Sequence, residues 1–305
     1  MQILLLLHLL LNFSFSANEI HAPVPINPEF GKTVDTCPRA RASLPEIWIL
    51  KLWDHAVSDD GQLDTGAKRP QTLNQASLYR QLEEWLYLHA PDRKATVITS
   101  GCNVSEITDP YPHKIRGWTL GDLQKRVSDP GYDALPAPIA LKLKAKHGGQ
   151  VRAFCADNQE FERQQSVALS GARAALGFYT RLADQNEKKQ IRLEYRVRAL
   201  ELYQLPPSTP GKVLLKTLNR ELKRNLAEFT RLANTRVDFL FQAISRAGPP
   251  ESRLLVILPG ASAKTLAGKL RRAGFGCQVI EPNGYASESE LFLGEIDRWL
   301  RGEVD

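Results

Sequence analysis

The chain has no uninterrupted apolar stretch of about 18 residues beyond its N-terminus, so it lacks the length that a membrane-spanning helix needs. Aromatic residues make up only 8% of the 305 residues, and no two of the four cysteines are close enough for a zinc knuckle or a redox dithiol. With 43% hydrophobic and 24% charged residues, the chain still has enough apolar surface to offset the entropy of ordering. The composition therefore excludes wholesale disorder and fibrous proteins, and it favours a globular chain.

The cysteines are widely spaced, at Cys37, Cys102, Cys155 and Cys277. Cys155 and Cys277 lie in apolar, strand-like runs, and we expect both to be small buried hydrophobic residues. One or two disulfides are the alternative if the chain is exported, although a chain of this length does not need them for stability.

The first 17 residues have the layout of a secretory signal peptide. A short apolar run at residues 3–11 is followed by small and polar residues at 14–17, although no Lys or Arg precedes the run. The alternative is a buried N-terminal helix. We expect a secreted or periplasmic protein, with an extended, proline-rich linker at residues 18–45.

The net charge of +6 is concentrated in one segment. Residues 181–236 contain thirteen Lys and Arg against six Asp and Glu, so they carry +7 while the rest of the chain carries −1. A basic stripe can bind an anionic partner, but it is more often a solvated helix face. This segment has few aromatic residues and no known nucleic-acid-binding signature, so nucleic acid is not an expected partner.

Apolar runs alternate with segments of helical periodicity along residues 46–305. The runs that predict strands are residues 47–53, 95–99, 151–156, 254–258 and 278–280. Strands that are apolar on both faces are typical of a parallel sheet covered by helices. Residues 160–247 are almost entirely helical, and an apolar stripe runs along their last helix. The sequence therefore predicts a single α/β domain at residues 46–305, with a largely parallel sheet and a long helical-hairpin insertion at about 160–247.

Polar residues follow four of the predicted strands. Because ligands of open parallel sheets bind at the carboxyl ends of the strands, these residues would face one crevice if the strands are neighbours. In chain order they are Asp54 and His55, then Ser100, Cys102 and Asn103, then Asp157 and Asn158, and finally Ser262, which lies in the turn that contains Gly260. We expect a small ligand of unknown identity in this crevice.

These residues suggest different chemistry. His55 could be a general base, or a loop histidine that bonds a carbonyl oxygen, and Asp157 could orient its imidazole or cap a helix. Cys102 beside His55 could form a nucleophile and base pair. The turn at Gly260 could hold an anion on its backbone amides, but it lacks the length and Lys of a P-loop. With one imidazole and no closely spaced ligand pair, no metal site is predicted, and the sequence does not identify a cofactor.

Several short motifs resemble the TraB/Tiki and haem-binding-uptake superfamily, which includes the ChaN-like and erythromycin-esterase proteins. Trp53-Asp54-His55 resembles the first family motif, and Ala156-Asp157-Asn158 resembles the third. Residues 254–282 are similar to the last strand-helix-strand unit. The resemblance implies this scaffold and a crevice at the strand ends.

The departures from the family pattern bear on activity. Ser100 stands where the family's second strand usually ends in Glu, and Ser262 or Ala263 stands where its last motif carries a His. Of the groups that the resemblance implies for binding metal or activating water, His55 and Asp157 remain, and these two would hold a divalent ion poorly.

Two functional hypotheses follow. The first, which we favour because two expected groups are missing, is an exported binding protein with a degraded active site. It would bind a small ligand in the crevice or an anionic partner along the basic helices at 181–236. The second is a hydrolase in which His55 is the base, Asp157 orients it, and Ser262 or the amides of the Gly260 turn stabilise negative charge.

Overall fold

A computed structural model describes residues 31–40, 44–52, 68–89, 95–100, 102–115, 117–157, 159–247, 254–285 and 287–301. Its strands are β1 (Gly31–Cys37), β2 (Glu46–Leu52), β3 (Ala95–Thr99), β4 (Cys102–Ile107), β5 (Val151–Asp157), β6 (Leu254–Pro259) and β7 (Gly276–Pro282). Its helices are α1 (Lys68–His89), α2 (Leu120–Gln124), α3 (Ile139–His147), α4 (Gln159–Ala183), α5 (Lys189–Leu202), α6 (Gly211–Arg246), α7 (Gly260–Arg272) and α8 (Glu288–Leu300), with short 3-10 helices at Tyr132–Ala134 and Gly148–Gln150.

The strands form one mixed sheet in the order β1-β7-β2-β6-β3-β5-β4. The five central strands are parallel to one another, while β1 and β4 pair antiparallel with their neighbours at the two edges. The predicted α/β class with a largely parallel sheet is confirmed. The central strands are buried on both faces, which explains why the sequence shows them as continuous apolar runs.

Helices cover both faces of the sheet. On one side, called face A here, α1, α2 and α3 pack against residues such as Leu50, Val97 and Leu255. On the other side, face B, the C-terminal half of α6 and all of α7 pack against residues such as Ile49 and Val256. Burial of these apolar surfaces is the main stabilising contribution to the fold.

The first strand lies within the segment predicted to be a linker. Residues 31–37 form β1, which pairs with β7, so the sheet begins earlier than the predicted boundary at residue 46. The prediction was wrong here because β1 is an edge strand that leaves Lys32, Thr33 and Val34 exposed, and its polar sequence lacks the apolar pattern of a central strand.

A disulfide fastens this edge strand to the sheet. Cys37 lies directly opposite Cys277 in the β1–β7 ladder, and the two are bonded. Cys155 is disulfide-bonded as well. The expectation that Cys155 and Cys277 are buried is confirmed, but the expectation that they act only as small hydrophobic residues is wrong.

The segment between β5 and β6 contains three helices. Polar residues at 184–188 separate α4 from α5, and the prolines at 206–210 separate α5 from α6. Helices α4 and α6 run antiparallel, because contacts ascend along one helix and descend along the other. The contacting pairs are Phe161 with Phe239, Gln165 with Arg236, and Gly171 with Asn225.

Helix α6 extends beyond the part of it that packs on the sheet. At about 1.5 Å per residue its 36 residues span about 54 Å, and only its C-terminal half packs on face B. Its N-terminal half packs instead with α4 and α5, through Leu214 and Leu218. None of the described helices has the length and hydropathy that a membrane-spanning helix needs.

Candidate functional site

The four strands whose ends carry the predicted site residues are consecutive in the sheet, in the order β2-β6-β3-β5. All four are parallel, so their carboxyl ends lie on one edge, called the carboxyl edge here. Ser100 follows β3, Asp157 ends β5, and Gly260 and Ser262 lie in the first turn of α7, which begins directly after β6. The structure thus brings these four residues to the same edge, and all four are buried.

Other predicted residues cannot be placed in the same way. Asp54 and His55 lie outside the described residues. Cys102 is the first residue of β4, the antiparallel edge strand that the sequence did not predict. The roles proposed for His55 and for Cys102 therefore stay predictions.

The connections after β2 and β6 form a topological switch point at the end of β6. After β2 the chain continues into α1 on face A, whereas after β6 it enters α7 on face B; β3 is followed within the sheet by the edge strand β4. Since β2 and β6 are neighbours in the sheet, the chain leaves these two adjacent strands toward opposite faces. Such a switch point is where open α/β sheets bind ligands.

At the end of β5, Asp157 forms a buried ion pair with Arg236 of α6. The guanidinium Nε donates to Oδ2 of Asp157 at 2.5 Å, and its Nη1 donates to Oε1 of Gln165 on α4, also at 2.5 Å. Arg236 is 3% exposed and Asp157 is 0% exposed. Through Arg236, the Asp157 carboxylate thus connects the sheet to both long helices.

One donor of this group has no acceptor. Nη2 of Arg236 is buried and makes no hydrogen bond to any described residue. A buried donor without a partner costs about 1–3 kcal/mol, so an oxygen atom that reached Nη2 would gain a strong, charge-assisted bond.

A second charged group lies at the other end of the carboxyl edge. Lys51, near the end of β2, donates to Glu281 of β7 at 2.7 Å and to Glu290 of α8 at 3.0 Å. Its ammonium also lies 5.0 Å from the ring centroid of Tyr285. Burial by itself lowers the pKa of Lys51, but the two carboxylates outweigh it and hold the pKa above its ordinary value. Lys51 is therefore a cation, and together with the carboxylates of Glu281 and Glu290 it forms a group with a formal charge of −1.

Tyr285 connects this group to the switch point. Its hydroxyl donates to Oε2 of Glu290 at 2.7 Å and lies directly against Gly260. A side chain at Gly260 would overlap that hydroxyl, so the close approach requires glycine. The amide turn that the sequence suggests as an anion site thus has a phenolic hydroxyl beside it, whose oxygen can accept a hydrogen bond from a ligand.

Sequence patterns did not single out Lys51, Arg236 or Tyr285. Lys51 and Arg236 nevertheless have a recognisable signal, because each is a charged residue in an otherwise apolar, core-facing pattern. Tyr285 has no such signal, since it follows β7 in a turn.

No family model, curated protein or solved structure matches this chain. Within the part of the chain that the structure describes, no three His, Cys, Asp or Glu side chains cluster closely enough to hold a metal ion. The assignment of the candidate site therefore rests on the geometry of the described residues.

Proposed function

We propose that the chain is an exported binding protein that holds a small polar ligand at the carboxyl edge, in the crevice at the end of β6. The observation that carries this proposal is the switch point itself, where the neighbouring parallel strands β2 and β6 are followed by helices on opposite faces of the sheet. The Tyr285 hydroxyl and the backbone turn at Gly260 would contact the ligand. The unpaired Nη2 of Arg236 supplies a further donor on the same edge.

Ligand binding can be tested by saturation-transfer NMR with a panel of carboxylates, phosphates, amides and sugars. For any compound that binds, we expect Tyr285→Phe to weaken binding by about three- to tenfold, since one hydrogen bond is lost. Tyr87→Phe is the matched control, because Tyr87 is largely exposed on α1. Equal binding by all three proteins would refute the assignment of the site to the Gly260 turn.

Export is the second part of the proposal. The disulfides at Cys37–Cys277 and at Cys155 support it, because disulfides persist mainly in oxidising compartments. A fusion of residues 1–17 to a reporter enzyme that is active only outside the cytoplasm should be active. An inactive fusion, with the reporter produced in full, would contradict export.

The hydrolase alternative keeps His55 as the base and Asp157 as its orienting group. What supports it is that Asp157 ends β5 on the same edge as β2, the strand that precedes His55. The Arg236 guanidinium already binds Oδ2 of Asp157, which favours the binding-only hypothesis. Hydrolysis of an ester or peptide substrate that disappears in His55→Ala would establish the alternative instead.

Two structural expectations belong to the same proposal. One is the superfamily resemblance, which the quoted sequence motifs alone support. The other is that α4 and α6 form a helical-hairpin insertion with α5 at its tip. The antiparallel contacts of α4 with α6 and the packing of Ala199 and Leu200 of α5 against Leu214 and Leu218 of α6 support the hairpin.

A further inference from the structure

A cleft of about 650 Å³ lies between α4 and α5, well away from the carboxyl edge. Its first lining residue, Arg173, lies eight residues beyond Gln165 along α4, which is about two helical turns. Its volume falls within the range of about 300–1,000 Å³ that is usual for small-molecule sites. Nothing in the proposed function uses this cleft.

The walls of the cleft are apolar and aromatic. Ala174 and Gly177 of α4 line it, and the rings of Phe178 and Tyr195 meet edge to face at 6.1 Å. Leu202, at the end of α5, also lines the cleft and is 54% exposed. Because burial of apolar surface is favourable, a ligand that covers Leu202 would be stabilised by this contact.

The polar part of the lining is mainly basic. Arg173, Arg181 and Arg198 contribute guanidinium groups, and Glu201 contributes one carboxylate. A second carboxylate, Glu187, pairs with Arg181 at 2.6 Å. The exposed Arg198 makes no ion pair or hydrogen bond with any described side chain, so its charge is available to a ligand.

We propose that this cleft binds an anionic amphiphile as a single molecule. The apolar body would lie against Phe178, Tyr195 and Leu202, and a carboxylate or phosphate head would pair with the guanidinium of Arg198. Guanidinium groups bind such heads through two parallel, charge-assisted hydrogen bonds, which a quaternary ammonium head cannot accept. This assignment is independent of the site at the carboxyl edge.

The experiment is calorimetric titration of the full chain with dodecyl phosphate below its micelle concentration. We expect one molecule to bind per chain, and we expect dodecyltrimethylammonium, which has the same tail and the opposite charge, not to bind. Arg198→Gln should weaken binding by about two- to fivefold. Arg220→Gln, on the exposed face of α6, should leave it unchanged.

Filling the cleft gives a second, sharper variant. A Cβ built on Gly177 meets no described atom within 4 Å, so Gly177→Leu should occupy the cleft without a clash. Leucine also favours a helix over glycine, so the variant should fold. We expect its affinity for dodecyl phosphate to fall at least about tenfold. Gly294→Leu on α8, where a Cβ is equally free, should bind as the original chain does.

Three results would overturn the proposal. They are the absence of dodecyl phosphate binding, equal binding of the cationic amphiphile, and undiminished binding by Gly177→Leu. Vesicles of phosphatidylglycerol distinguish a membrane surface from a single molecule. Sedimentation with vesicles in the absence of dodecyl phosphate binding would assign the basic helices to a lipid surface and would refute the cleft.

Discussion

Arg236 occupies a position in the apolar stripe of α6 at which its neighbours are Leu232, Ala233 and Val237. Its ion pair with Asp157 is nearly inaccessible to water, and removal of one partner from such a pair typically costs about 3–5 kcal/mol. We therefore expect Arg236→Met to lower the free energy of unfolding by about that amount in urea denaturation.

Two further variants test whether the loss comes from the pair itself. Arg231→Met removes an exposed guanidinium from the same helix, where Arg231 pairs with Glu228 three residues earlier, and should have no measurable effect. The double variant Arg236→Met with Asp157→Leu should recover part of the loss, since no carboxylate then stays buried. An Arg236→Met protein as stable as Arg231→Met would contradict a stabilising role for the pair.

Lys142 is a second buried cation, with 1% of its surface exposed, on α3. Its Nζ donates to the carbonyl oxygens of Asp133 and Leu135 and lies over the ring of Tyr79. Burial lowers the pKa of Lys142 to about 8, although the Asp133 carboxylate opposes the shift. In the unfolded chain the pKa returns to about 10.5, so between these two values the unfolded state binds more protons than the folded state.

Stability should therefore rise with pH across this interval. We expect the stability of the original chain, relative to Lys142→Met, to increase by about 1–2 kcal/mol between pH 8 and pH 9.5. The pH range stops below the ordinary pKa of tyrosine because Tyr79 and Tyr132 would otherwise add an opposite effect. Burial raises the pKa values of both, so ionisation of these tyrosines in the unfolded chain lowers the stability at higher pH. Urea denaturation of both proteins at several pH values measures the difference. If the difference in stability between the two proteins were constant across this range, the pKa of Lys142 would not be lowered in the folded state.

At the scale of elements, we expect the attachment of β1 to the sheet to depend more on its disulfide than on side-chain packing. Most of its side chains are exposed, and only Cys37 is buried. The bond to Cys277 closes a chain segment with a sequence separation of 240 residues, and loss of such a cross-link costs about 2–5 kcal/mol. We expect the double variant Cys37→Ser with Cys277→Ser to lose stability in this range.

Hydrogen exchange locates the effect of that variant. The amides of β1 should exchange much faster, whereas those of β2 and β6 should stay protected, because both are buried central strands. Unchanged protection of β1 would show that the ladder with β7 holds without the bond.

How far the sequence predicts these elements depends on their burial. Residues 95–99 were predicted as a strand and form β3 with the same bounds, because a strand buried on both faces must be an apolar run. Edge strands β1 and β4 face solvent, so their sequences carry no such pattern.

At the site, the sequence predicts that Asp157 and Ser262 lie on one edge of the sheet. The alternation of strands and helices indicates parallel strands, and the residues that follow parallel strands share one edge. Lys51 and Glu290 are 239 residues apart, and no local pattern predicts that pair.

The whole molecule separates its two proposed binding regions. The carboxyl edge belongs to the sheet, while the cleft and the excess of positive over negative charge belong to the segment of α4, α5 and α6 at residues 181–236. Residues 181–236 carry +7, and the rest of the chain carries −1. An anionic surface should therefore attract the chain through these helices and not through its sheet.

Charge neutralisation tests this asymmetry with equal changes at two places. Replacing Lys188, Lys189 and Lys212 by Gln removes three exposed charges from the helices, and replacing Lys32, Lys114 and Lys264 removes three exposed charges elsewhere. Both triple variants have the same net charge, so a difference between them reports only where the charge lies. We expect the first variant to elute from heparin at clearly lower salt than the second, because screening by salt competes with a local cluster of cations. Coincident elution of the two variants would mean that the basic helices are solvated faces with no preferred anionic partner.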